Sequence, residues 1–227
     1  MTSLKKFQQQ AARPLPVIVL ADTSGSMDGD KINTLNNALS KMIKSFQKES
    51  RLRAEIHLSV ITFGGSEAKE SLELTPAQKI EDFKPLIASG PTPMGGAFAL
   101  TSALIEDKEK IPSRAYQPVI ILVSDGHPND RYEEAFNQLM NGERSSKATR
   151  FAMAIGADAD TNMLRDFAND PEAPVFEAEN ASDIYRFFKA VTMSVTTKSQ
   201  SKTPNQTVPL TLPPAEKEDD EFEDVGF

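Results

Sequence analysis

Asp22, Thr23, Ser24, Gly25 and Ser26 form the stretch of this 227-residue chain whose residue types and spacing best suit chemistry. Asp22, Ser24 and Ser26 alternate, so one side of the segment carries a carboxylate and two hydroxyls. Gly25 lets the backbone turn tightly between the two serines. The product is a small cup of hard oxygen donors, which suits Mg²⁺, or Mn²⁺, rather than a soft metal. The cup directly follows an apolar run, Leu15 to Ala21. Such a run reads as a strand buried on both faces of a parallel sheet. The cup then lies at the carboxyl edge of that sheet, where open α/β folds place their sites.

The elements that must position the cup follow from periodicity. A second apolar run, Val119 to Val123, ends at Ser124-Asp125-Gly126 and reads as the neighbouring central strand. Adjacency of the two runs forms a topological switch point with a crevice above it. Helical spacing of Ile32, Leu35, Leu39, Met42, Ile43 and Phe46 predicts an amphipathic helix over 31–49, with Asp30 as its N-cap. Residues 54–63 and 68–74 read as strands, and the turn at Gly64-Gly65 joins them into an antiparallel edge hairpin. Residues 75–88 fit no single element; Ile80, Phe83, Leu86 and Ile87 are expected to pin them to the core. A loop rich in turn formers, Ser89 to Gly96, precedes a helix at 95–109. Further on come a helix at 131–141, a strand at 150–156, a short helix at 160–168, a short strand at 174–178 and a closing helix from Ser182. Strands alternating with helices require right-handed crossovers. The fold class is therefore α/β: a doubly wound, mostly parallel six-stranded sheet with helices on both faces and one antiparallel edge strand.

Composition bounds the function. A hydrophobic content of 39%, with 13 Phe, supplies one core. The chain has no Cys, which excludes disulfides, zinc–thiolate sites and Cys nucleophiles. Its two His, His57 and His127, leave little room for His-based catalysis. No apolar run approaches the roughly 18–20 residues of a membrane span. Residues 1–13 read as a polar leader without an apolar signal core, so a cytoplasmic location is expected. Net charge is −8, of which residues 204–227 carry −6 and the rest only −2. No basic face argues for nucleic acid, and nothing argues for a membrane. The expected organisation is a leader at 1–13, one domain at 14–197, and a linker with an acidic tail at 198–227. Ser194, Thr196, Thr197, Ser199, Ser201 and Thr203 read as exposed candidates for phosphorylation.

Asp-x-Ser-x-Ser after a hydrophobic first strand resembles the metal-ion-dependent adhesion site of von Willebrand factor type A (VWA) domains. That family carries a Thr-x-x-Gly before a helix, matched by Thr92-Pro93-Met94-Gly95, and an Asp after a later strand, matched by Ser124-Asp125-Gly126. The resemblance covers about residues 14–197. It implies a metal set of Asp22, Ser24, Ser26, Thr92 and Asp125, and a strand order of 3-2-1-4-5-6. One departure is Gly90-Pro91-Thr92, where Gly-Gly-Thr is common; the proline stiffens the loop. Within the family the chain looks like bacterial TerY-like proteins of tellurium-resistance and stress operons. The residues carrying this are Leu15-Pro16-Val17, Asp22 to Met27, Leu58 to Phe63, Ala88-Ser89-Gly90 and Ser124 to Asp130. That resemblance implies a phosphorylation-linked complex with a Ser/Thr kinase and a PP2C-like phosphatase.

The expected function is a non-enzymatic, Mg²⁺-dependent module that docks an Asp or Glu of a protein partner. One alternative is a Mg²⁺-dependent phosphohydrolase using Asp22. Haloacid-dehalogenase-like enzymes usually place a second Asp two residues on, where this chain has Ser24. No phosphate-binding glycine motif or nucleophile elbow is present. No Lys or Arg occurs in the three candidate loops before Arg131. Another alternative is a metal-independent scaffold acting through its acidic tail. Phe222 and Phe227 read there as anchors of a recognition peptide, and a tail acid is long enough in reach to act as a pseudo-ligand of the metal.

Overall fold

The computed structural model describes residues 12–49, 53–168, 175–206 and 210–213. Six strands make one sheet: β1 (Arg13–Asp22), β2 (Ala54–Gly64), β3 (Glu67–Pro76), β4 (Val119–Ser124), β5 (Thr149–Ile155) and β6 (Phe176–Ala178). Their order is β3-β2-β1-β4-β5-β6. Every pairing is parallel except β2 with β3, the expected hairpin. Five helices cover the faces: α1 (Asp30–Gln47), α2 (Met94–Glu106), α3 (Glu133–Asn141), α4 (Thr161–Phe167) and α5 (Ala181–Gln200). The expected fold class and strand order are both found.

Alternation along β1 explains the two layers. Leu15, Val17, Val19 and Ala21 enter the core with α1 and α5. Ile18 and Leu20 enter the opposite core, with Met94 and Phe98 of α2, Leu139 of α3 and Leu164 of α4. Both faces of β1 are thus covered, which is why its sequence is apolar without a break. Each such Leu, Ile or Phe, fully buried, contributes about 1.5–3 kcal/mol.

Several boundaries differ from expectation. Asp30 is not the N-cap of α1: Gly29, at φ 84°, holds that place, and Asp30 is the first helical residue. An acid there still complements the positive end of the helix. Residues 75–88 close β3, pass through one 3₁₀ turn (Ala77–Lys79) and then run without regular structure. Asn36 of α1 clamps them, accepting from Leu86 N at 2.7 Å and donating to Leu86 O at 2.9 Å. Ile80 and Leu86 are buried as expected, but Ile87 is 83% exposed and pins nothing.

The domain does not stop at 197. Helix α5 continues to Gln200, and Lys198 and Ser199 are buried. Leu210 joins the core of α1 and α5. Amphipathic packing therefore outlasts the point where Ser and Thr make the sequence look like a linker. Ser194 and Ser199 are buried, so neither is an exposed modification site. Most of the expected leader and the acidic tail from 214 onward lie outside the described residues. Among the described residues no helix is long and apolar enough to cross a membrane.

Candidate metal centre

Three loops meet at the carboxyl edge of the sheet. The first follows β1, the second precedes α2 and the third follows β4. Parallel register does the first part of the work. Ala21 pairs with Val123, so the next residues, Asp22 and Ser124, leave the sheet side by side. Ser124 Oγ donates to Asp22 Oδ2 at 2.6 Å, and Ser24 N donates to Asp22 Oδ1 at 2.8 Å. Ser26 Oγ donates to Asp125 Oδ1 at 2.8 Å. Ser24 Oγ lies 3.0 Å from Ser26 Oγ. Ser26 has one hydroxyl hydrogen and gives it to Asp125, so Ser24 is the donor to Ser26. Asp22, Ser24, Ser26 and Asp125 thus form one hydrogen-bonded chain.

Backbone bonds lock the loops together. Ser89 N donates to Thr23 O at 2.8 Å, and Gly25 N donates to Gly90 O at 2.8 Å. Gly90 has φ 65°, and a Cβ on it would meet Gly65 Cα at 2.7 Å. Only glycine fits that conformation and that approach. Thr92 is buried, and its carbonyl accepts from Asn129 N in the third loop at 3.2 Å. That bond ties the second loop to the third; the Thr92 hydroxyl is not part of the hydrogen-bonded chain that joins the other four.

Asp22 is fully buried. Burial raises its carboxyl above the usual range, the bonds from Ser124 and Ser24 pull it back, and the charge of Asp125 raises it further. A carboxylate in that position gains from a nearby cation. The donors fit a hard divalent ion: two carboxylates and two hydroxyls, with a third hydroxyl residue on the adjoining loop. Among the described residues no group of three His, Cys, Asp or Glu could hold a metal. Any ion here would therefore depend on the hydroxyls of Ser24 and Ser26 together with Asp22 and Asp125.

Three residues of the centre were given no role there from the sequence, although Ser124 and Asp130 lie in quoted motifs. Lys31, in the first turn of α1, reaches Asp125 Oδ2 with its Nζ at 2.6 Å. The expectation of no basic group at the loops overlooked it, because it is contributed by a helix. Ser124 fixes Asp22, and the pairing of the two apolar runs was the signal for it. Asp130 accepts from Gly95 N at 3.0 Å and Gly96 N at 3.2 Å, tying the third loop to the start of α2. The two histidines stay outside: His127 Nδ1 faces Asp160 Oδ2 at 3.2 Å on the surface, and His57 Nε2 faces Glu55 Oε2 at 3.0 Å.

An open, doubly wound sheet with a cup of carboxylates and hydroxyls over its switch point defines a class of α/β domain. The chain belongs to the von Willebrand factor type A domain family, whose model matches residues 17–190. It is similar to inter-alpha-trypsin inhibitor heavy chain H4 of Sus scrofa, with 26% identity over 171 residues, 70% of this chain and 17% of that protein. Proximal thread matrix protein 1 of the mussel byssus superposes with a TM-score of 0.62 and 18% identity, over 81% of this chain and 48% of that one. One structure of that mussel protein has a zinc-occupied MIDAS motif. The pilus adhesin SpaC of Lactobacillus rhamnosus GG superposes with a TM-score of 0.65 and 16% identity, over 84% of this chain and 32% of that one. The chain thus spans less than half of these solved chains and about a sixth of the curated relative. At such identities the solved structures establish the fold.

Proposed function

We propose that this chain is a non-enzymatic protein-binding module in which a divalent cation, Mg²⁺ by its donor set, accepts an acidic side chain of a partner. The observation that carries this reading is the chain of bonds from Asp22 through Ser24 and Ser26 to Asp125. Neutral hydroxyls held between two carboxylates leave a bound ion electron-poor, so it takes a further anionic oxygen from outside. The zinc-occupied motif of the mussel protein supports a divalent ion at a centre of this kind. Ser124 and the backbone ties serve to orient the donors, as groups behind a metal site do.

A phosphohydrolase is the weaker reading. The N–H groups of Gly95 and Gly96 that open α2 are already taken by Asp130, so they do not cradle a phosphate. Lys31 is committed to Asp125. A bacterial setting with a Ser/Thr kinase and a PP2C-like phosphatase, and a cytoplasmic location, rest on the TerY-like motifs and the composition.

Calorimetric titration of Mg²⁺ and Mn²⁺ into the protein and into Asp125→Ala tests the metal. We expect the variant to lose at least about 100-fold in affinity. Capture of partners with Mg²⁺ and with EDTA tests the docking. Retention that needs both Mg²⁺ and Asp125 supports the module. Equal capture in all lanes removes the metal from the interaction and favours the tail-bound scaffold.

A further inference from the structure

A groove of about 840 Å³ runs between α1 and α5 and shares no residue with the metal centre. Lys41, Lys44, Lys48, Arg186 and Lys189 line it, and among the described residues no carboxylate does, although Arg186 Nη1 donates to Asp183 Oδ1 at 3.2 Å just behind the wall. Its floor is apolar. Met42 and Phe188 are buried there, and Met193 is 57% exposed. Lys41 Nζ stands 4.2 Å above the ring of Tyr185. An apolar floor under a rim rich in lysine suits an acidic segment that carries an aromatic side chain.

The described chain ends at this groove. Beyond α5 it returns along the helix: Leu210 enters the α1/α5 core and Leu212 packs against it. Arg186 Nε donates to Pro213 O at 3.1 Å, and Pro213 lines the groove. Pro213, the last described residue, thus sits on the groove wall, and residues 214–227 follow it in the sequence. They carry seven acids against one base, with Phe222 and Phe227 among the acids.

We propose that the acidic segment 214–227 docks in cis in the groove between α1 and α5, with its carboxylates against the cationic rim and Phe222 on the apolar floor. Reach is sufficient. Phe222 is nine residues beyond Pro213. Nine residues have a root-mean-square span of about 15–18 Å and an extended limit of about 30 Å. Lys41 and Lys48 are only about 10 Å apart along α1. A single exposed ion pair contributes little by itself. Tethering at Pro213 raises the local concentration to the order of millimolar, so several weak pairs and one aromatic contact are enough.

Zero-length carbodiimide coupling of the full-length chain tests this. Unlabelled and ¹⁵N-labelled protein are mixed and the coupled peptides read by mass spectrometry. The expected products join Glu221, Glu223 or their acidic neighbours to Lys41, Lys44, Lys48 and Lys189 within one isotope. The double variant Phe222→Ala, Phe227→Ala is expected to reduce them at least about fivefold while leaving the circular dichroism unchanged. Coupling between isotopes would put a second copy in the groove and overturn the proposal. Coupling chiefly to Lys31 would send the tail to the metal centre and overturn it too. An even spread over other exposed lysines, such as Lys69 and Lys108, or no coupling, would equally overturn it.

Discussion

The two edges of the sheet both bury charge, and they treat it in opposite ways. At the carboxyl edge each oxygen of Asp22 and Asp125 has a partner: Ser24 N and Ser124 Oγ for the first, Ser26 Oγ and Lys31 Nζ for the second. At the amino edge the buried charge is Lys198, on the last turn of α5. It is 2% exposed and donates to Thr149 Oγ1, at the start of β5, at 3.1 Å. Burial lowers its ammonium from an ordinary 10.5 to about 8. One edge is a saturated network in which donors and acceptors are matched. The other holds a cation with sparse compensation. A matched network offsets the cost of burying its charges, whereas a sparsely paired buried charge retains most of that cost.

The largest effect is expected at the sparse edge. Below pH 8 the charged form of Lys198 is penalised in the folded state, and the penalty is relieved as pH rises from about 8 to 10.5. Over that window the unfolded chain binds more protons, so stability should rise with pH, by on the order of 3 kcal/mol. Lys198→Met should be the more stable protein at pH 7 and should lack that rise. Urea unfolding of both proteins at pH 7, 8.5 and 10 measures the difference. Parallel profiles would make the two edges alike.

The next effect concerns the ties of the carboxyl edge. Gly90→Ala should destabilise by about 1–3 kcal/mol, because its Cβ meets Gly65 and its φ is unfavourable. Gly29→Ala has an unfavourable φ but nothing within 4 Å, so it should cost less. Equal costs in urea would reduce the loop contact to backbone preference alone.

The smallest effect tests whether the network is tuned. Lys31 stands against the same carboxylate that would face a metal. Its side chain is 39% exposed, so its charge is partly screened. Lys31→Met should raise Mg²⁺ affinity by about two- to fivefold. A fall in affinity would mean that Lys31 holds Asp125 in place rather than competing for it.

Most of the fold was legible because β1 and β4 are apolar without a break, and only strands covered on both faces need that. Strand order came from the resemblance, since periodicity does not say which strands are neighbours. At the centre, Asp22, Ser24 and Ser26 announce themselves by alternation on one segment. Lys31 and Asp130 do not, because they act across loops and no local spacing encodes a partner about a hundred or thirty-five residues away. The end of α5 was misread for a related reason. Ser and Thr weaken the local helical signal, while Val191 and Val195 keep the buried face going.

The reach of Lys31 to Asp125 also bears on the order of events in making this protein. In small zinc domains the ion supplies the folding energy, and the chain cannot close without it. Here a residue of the chain itself answers the second carboxylate, and serine hydroxyls and a backbone N–H share the rest. These internal partners are expected to let the chain fold before any ion is bound, so a metal centre here would be filled after folding rather than required for it.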